Sequence, residues 1–177
     1  MDAWNVARLI DALERGARAW HALLEGLPRD LAERRPTPRE WSVLEIACHL
    51  VDEEREDFRA RLRGTLEDPQ ADWTPIDPEG WVAERGYAQR ELADVLASFL
   101  TERAASVAWL RSLDEPDWER SHAHPTLGPL RAGDLLASWV AHDALHLRQL
   151  ARRLYQAVER DSAPYSPAYA GPWKPNV

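Results

Sequence analysis

An all-α protein built as a four-helix bundle is what this sequence predicts, and three observations lead there. Four segments repeat their apolar residues every three or four positions, the spacing of a helix with one face turned inward. Strand-like alternation of apolar and polar residues is sparse. The segments are parted by proline- and glycine-bearing connections, with 13 prolines and 8 glycines among 177 residues. A length of 177 with 45% hydrophobic residues supplies one substantial core, so one bundle over residues 1–160 is expected, followed by a proline- and aromatic-rich tail over 161–177.

The first helix follows from Val6, Leu9, Leu13, Ala17, Trp20, Leu24 and Leu27, and should end between Gly26 and Pro28. His21 lies beside Trp20 and reads as a surface or packing residue. Pro28, Pro36 and Pro38 then impose turns, with room for one short helical piece. The second helix announces its start in WSVLEIACHL: Ser42 is an N-cap, Glu45 completes a capping box, and Trp41 can staple onto Ile46. Val43, Ala47, Leu50, Val51, Phe58 and Leu62 carry that helix to about Leu66.

Gly64, Pro69, Pro75, Pro78 and Gly80 punctuate a connection of some twenty residues, long enough for a crossover and for a turn of helix over Trp81 to Arg85. The third helix begins near Tyr87 or Ala88, runs along Leu92, Leu96, Phe99, Arg103 and Leu110, and stops near Leu113. In RSHAHPTLGPL, His122 and His124 fall outside any predicted helix. Their spacing suits chelation in a loop, with a structural or surface role the plainer reading. The fourth helix starts between Leu130 and Asp134 and reaches Glu159.

That fourth helix carries two histidines on its core stripe. Taking Trp139 as the reference direction at about 100° per residue, His146 lies about 20° and His142 about 60° from it, among Leu135, Leu136 and Leu150. Residues four apart are neighbours on a helix, so both imidazoles can reach one point between packed helices. Buried histidine is both a common metal ligand and a good hydrogen-bonding group, so the pair alone decides nothing. His49 is harder to place, because it turns about 100° away from Leu50 and its helix's apolar side.

The strings WSVLEIACHLVDEE and, much later, LASWVAHDALHLRQL resemble the two ends of the DinB-like family, the DinB/YfiT-type metalloenzyme superfamily. WVAERGYAQRELADVLASF and HPTLGPL fit the layout between them, so the resemblance runs from about Val6 to Leu154. It implies a four-helix bundle of DinB-like type, with a long crossover between helices two and three. It also implies a divalent-metal site of three histidines, here His49, His142 and His146. One ion per chain, zinc or nickel, is then expected, with an open position for water or a thiol.

Family likeness further implies a small-molecule enzyme, foremost a transferase or isomerase using a low-molecular-weight thiol of the bacillithiol or mycothiol type. A metal-dependent hydrolase, or a noncatalytic dimeric metal-binding protein of damage response, are the alternatives, and a homodimer is the expected assembly. Asp52, Glu53 and Asp143 adjoin these ligands along their helices and are candidate acid/base or ligand-orienting groups, with simple solvation as the competing account. Trp139 is a candidate apolar wall of the site, and Arg148, with Arg152, a candidate anion binder for substrate. Cys48 adjoins His49 but faces elsewhere, so core packing is its expected role.

Composition narrows the partners. A formal charge of -8 opposes general nucleic-acid binding. No apolar run approaches membrane-spanning length, the amino terminus has no signal-like core, and a single cysteine excludes an internal disulfide. A cytoplasmic protein with no membrane association is expected.

Overall fold

α1, Val6–Leu24, starts where the Asn5 side chain accepts the Arg8 N–H at 3.0 Å and ends at Gly26, whose φ of 72° turns the chain. The computed structural model describes residues 4–174, so the last three residues of the expected tail lie outside the described residues. A short α2, Arg29–Glu33, fills the first proline-rich connection.

α3, Val43–Asp52, opens with the expected capping box. Ser42 Oγ accepts the Glu45 N–H at 3.2 Å, and the Glu45 carboxylate accepts the Ser42 N–H at 2.8 Å. Every residue of α3 is buried. The second long helix then continues through a π-helical turn, Glu53–Asp57, into α4, Phe58–Glu67. The wider turn takes up one extra residue and shifts the helical phase by about 100°. On an uninterrupted helix Leu62 would point about 120° from Leu50; the insertion brings it within about 20°. Both leucines are consequently in the core.

α5, Pro78–Glu84, a 3₁₀ turn, Tyr87–Gln89, and α6, Leu92–Ser112, complete the crossover, with Trp81 and Tyr87 buried against α3. The stretch holding His122 and His124 is a β-hairpin rather than a plain loop. β1, Ser121–His124, pairs antiparallel with β2, Gly128–Arg131, in the register Ser121 to Arg131 and His124 to Gly128. Strands of four residues are too short for alternation to show in sequence. α7, Ala132–Asp161, follows directly.

α1 packs against α6 and α7, and the α3–α4 helix packs against the same two, so the first and second long helices lie diagonally opposite. This is the four-helix bundle the periodicity predicted, its topology set by the crossover. Among the described residues no helix is long and apolar enough to cross a membrane.

Two apolar clusters make the core. One gathers Trp20, Leu44, Ile46, Leu50, Phe99 and Leu150; the other gathers Leu13, Leu62, Leu136 and Trp139. A buried ionic layer separates them, centred on Arg103, whose guanidinium lies 5.0 Å from the Phe99 ring and 5.9 Å from Trp139. Arg103 donates to Asp143 at 2.5 and 2.8 Å, to Glu54 at 2.6 Å and to the Leu13 carbonyl at 2.9 Å. Ser106 and Trp139 supply further hydrogen bonds to Glu54, at 2.8 and 2.9 Å. Burial opposes the charge on Arg103, but its carboxylate partners outweigh that and hold the pKa above its ordinary value.

Candidate metal centre

Three imidazoles meet where α3 crosses α7. His49 Nε2 lies 3.4 Å from His142 Nε2, which lies 3.0 Å from His146 Nε2, and the ligand atoms of all three fall within 4.8 Å of one another. Tetrahedral coordination with metal–nitrogen bonds of 2.0–2.1 Å separates ligand nitrogens by about 3.3 Å. The separations of His142 Nε2 from its two neighbours are close to that.

Each ring also has an environment that suits a ligand. His146 Nδ1 is 2.8 Å from Gln149 Oε1, which accepts a hydrogen bond from Nδ1–H and so leaves an Nε2 lone pair for the shared point. His49 Nδ1 is buried, without a hydrogen-bond partner, and faces a Glu53 carboxylate oxygen at 3.6 Å. Burial, and then the neighbouring imidazoles, push the His49 pKa down to about 2. Burial, His146 and Arg103 bring His142 to about 3, and burial lowers His146 as well. The rings are therefore neutral at physiological pH, the state that binds metal. Trp41 lies against His49 at 4.8 Å between ring centroids and Phe58 against His142 at 5.0 Å, two apolar walls.

A centre of three neutral nitrogen donors fits a first-row divalent ion. Among the described residues, these three histidines are the one group of three or more metal-binding side chains so arranged.

The family model of the DinB superfamily matches residues 12–150. The chain belongs to the DinB superfamily. Among solved structures it is similar to YfiT from Bacillus subtilis, described as a probable metal-dependent hydrolase with an unusual four-helix bundle topology. The two share 19% sequence identity over 87% of this chain and 91% of the other, with a TM-score of 0.74, a likeness of fold. No curated protein matches the chain.

The other candidate residues divide. Glu53 stands beside His49, and burial, followed by its hydrogen bond to Asp57, raises its carboxyl well above the usual range. Asp52 points away from the triad, accepting a hydrogen bond from Tyr87 and pairing with Arg85 at 3.0 Å on the opposite side of α3. Asp143 is committed to Arg103, on the α1 side of α7. Neither aspartate is available as an acid or base at the histidines: Asp143, one residue past His142, turns about 100° from it, and Asp52, three past His49, is taken up by Tyr87 and Arg85.

Trp139 is not itself a wall of the site. It stacks on Phe58 at 5.8 Å and so lies one ring behind His142. Arg148 is exposed and lies in a neighbouring cleft rather than at the triad. Cys48 is a core residue whose thiol burial pushes up to about 12.

The hairpin histidines serve the fold. His122 stacks on Trp73 at 4.1 Å and bonds through Nδ1 to the Pro69 carbonyl at 3.1 Å. His124 Nδ1 accepts the Thr126 and Leu127 N–H groups across the hairpin turn, both at 3.2 Å.

Proposed function

We propose that this chain is a metal-dependent enzyme acting on a small molecule, and that its reaction is transfer of a low-molecular-weight thiol of the bacillithiol or mycothiol type. The observation that carries the metal is the convergence of three neutral imidazoles, with His142 Nε2 lying 3.4 Å from His49 Nε2 and 3.0 Å from His146 Nε2. His49, His142 and His146 would hold a zinc or nickel ion, which would supply Lewis acidity and lower the pKa of a bound thiol or water.

The chain's own residues favour a thiol over water. A thiol of ordinary pKa, about 8.5, needs only modest help to ionise at neutral pH, whereas water is commonly assisted by a carboxylate base. Here Asp52, Glu54 and Asp143 are tied to Tyr87, Arg85 and Arg103, and Glu53 lies on the Nδ1 side of His49, away from the converging Nε2 atoms. In the proposed reaction the S–H proton passes to solvent, sulfur bonds to an electrophilic carbon, and the leaving group departs with its bonding pair. Gln149 orients His146, while Trp41 and Phe58, packed on His49 and His142, limit water at the rings.

Hydrolysis is the second reading, supported by the description of YfiT as a probable metal-dependent hydrolase. Two measurements decide. Protein purified without added metal or chelator, then titrated with zinc and nickel, should bind about one ion per chain, and a folded His49→Ala variant should bind it far more weakly. Unchanged affinity in that variant removes the centre. Consumption of a chlorodinitrobenzene by the loaded protein should then depend on added thiol, and equal rates with and without it would favour hydrolysis.

A further inference from the structure

Beside the triad, the solvent side of α7 presents Leu145, Arg148, Gln149 and Arg152, three and four residues apart and hence on one stripe. Across from them stand Arg39 and Trp41, just before α3, and Trp173 of the C-terminal tail. Together they enclose a cleft of about 380 Å³, the size of small-molecule sites.

Two of its walls belong equally to the metal centre. Trp41 packs on His49, and Gln149 holds His146. A molecule in the cleft is therefore one side chain away from two of the three imidazoles.

The cleft's charge runs against that of the chain. Four arginines and two glutamates line it, in a protein of net charge -8. One of those glutamates, Glu40, is already spent on Arg152 at 3.5 Å and Arg153 at 3.2 Å, while Arg153 also donates to the Trp41 carbonyl at 2.7 Å. Arg39 and Arg148 form no ion pair with a carboxylate among the described residues. Exposed arginines are ordinary on any surface; these line one concavity together with two indoles, Trp41 and Trp173. A guanidinium is weakly hydrated and presents a planar fork that matches a carboxylate or phosphate, and indole faces accept a flat apolar body. The tail's place in the cleft is held by α7 itself, since the Tyr155 hydroxyl donates to the Gly171 carbonyl at 3.0 Å and its ring meets Trp173 at 5.7 Å.

We propose that this cleft binds a small organic oxyanion, the substrate or co-substrate of the neighbouring centre, with its carboxylate or phosphate held by Arg148 and Arg39 and its apolar body against the indoles of Trp41 and Trp173. The role as a substrate site rests on the metal-centre reading; the binding itself does not.

Titration of the metal-free full chain by tryptophan fluorescence and calorimetry, with benzoate, phenyl phosphate and neutral benzamide as probes, tests this directly. Both anions should bind saturably, benzamide much more weakly, and the ratio of the two anion affinities distinguishes a carboxylate from a phosphate ligand. Arg148→Gln and Arg39→Gln should each weaken anion binding about tenfold, the worth of one charge-assisted hydrogen bond. No saturable binding of either anion, equal binding of benzamide, or unchanged affinity in both arginine variants overturns the proposal. Repeating the titration in His142→Ala, and the metal titration in Arg148→Gln, separates the two sites. Anion binding retained in the first supports the cleft even if the metal centre fails. Unchanged metal binding in the second, alongside lost anion binding, assigns the defect to the cleft alone.

Discussion

Gly16 sits where α1 passes closest to the buried ionic layer, and replacing it with alanine sets two effects of opposite sign against each other. Helix propensity favours alanine over glycine by about 1 kcal/mol. Packing opposes it, because a methyl group there would stand 2.7 Å from Asp143 Oδ2 and 3.5 Å from Arg103 Nη1. A carboxylate at the end of a free side chain would swing aside cheaply. Asp143 is buried and clamped by Arg103 at 2.5 and 2.8 Å, so it moves only by loosening that pair. Overpacking costs about 1–3 kcal/mol and breaking a buried pair about 3–5 kcal/mol; a partial displacement at about 3 kcal/mol leaves a net loss of about 2 kcal/mol. For a chain of this size that is a melting temperature lower by about 4–8 °C. Urea unfolding of native protein and Gly16→Ala, monitored by far-ultraviolet circular dichroism, gives the difference. A variant as stable as the native protein, with the same dependence on urea, would refute the claim that the close approach requires glycine.

Ser42→Ala removes the acceptor of the Glu45 N–H and should cost about 1 kcal/mol, read from the same urea midpoints; no loss would mean that Glu45 alone caps α3. Trp139→Phe keeps the stack on Phe58 but deprives Glu54 of one donor, and should destabilise by about 1–2 kcal/mol; a more stable variant would show that Arg103 and Ser106 suffice for that carboxylate. In metal-free protein, burial holds His49 and His142 unprotonated while the unfolded chain takes up protons at both below about pH 6.5. The unfolded state thus binds more protons as the pH falls, and stability contributed by these rings is lost from about 6.5 downward, about 2 kcal/mol per imidazole at pH 5. Unfolding midpoints between pH 7 and 5 should fall less steeply in a His49→Ala/His142→Ala variant, and parallel slopes would contradict this.

The helices were legible because their signals are local: Ser42 and Glu45 show a capping box, and the apolar stripes show four helices whichever way they are assembled. His142 and His146 were legible for the same reason, being four apart on a stripe that α7 keeps. His49 was not legible from periodicity, since the stripe test assumes a helix with one wet side and α3 has none. Resemblance supplied it instead. The π-turn left no mark in the sequence, and it is what brings Leu62 back in line with Leu50 and Phe58 against His142.

The ionic layer could have been found. Arg103 falls on the apolar track of the third helix, and a cation on a core stripe demands buried counter-charge. Asp143 and Glu54 are that charge, yet Asp143 reads as a ligand's neighbour and no spacing singles out Glu54. Sequence spacing likewise cannot show which flank of α3 Asp52 will face once α5 and the 3₁₀ turn cover it. Trp73, isolated in a proline-rich connection, gives no hint that it stacks on His122.

The triad joins residues 93 positions apart in the chain, and this separation bears on the order in which the protein folds. His142 and His146 come into register as soon as one turn of α7 exists, so an ion can be gripped weakly before any tertiary structure forms. His49 arrives only after the intervening chain has closed, at an entropic cost of about 4 kcal/mol for a loop of that length. An ion held by all three rings returns free energy to the closed chain alone. If closure comes after the transition state, the ion leaves the folding rate nearly unchanged and slows unfolding, lengthening the native lifetime in proportion to its grip on the third imidazole.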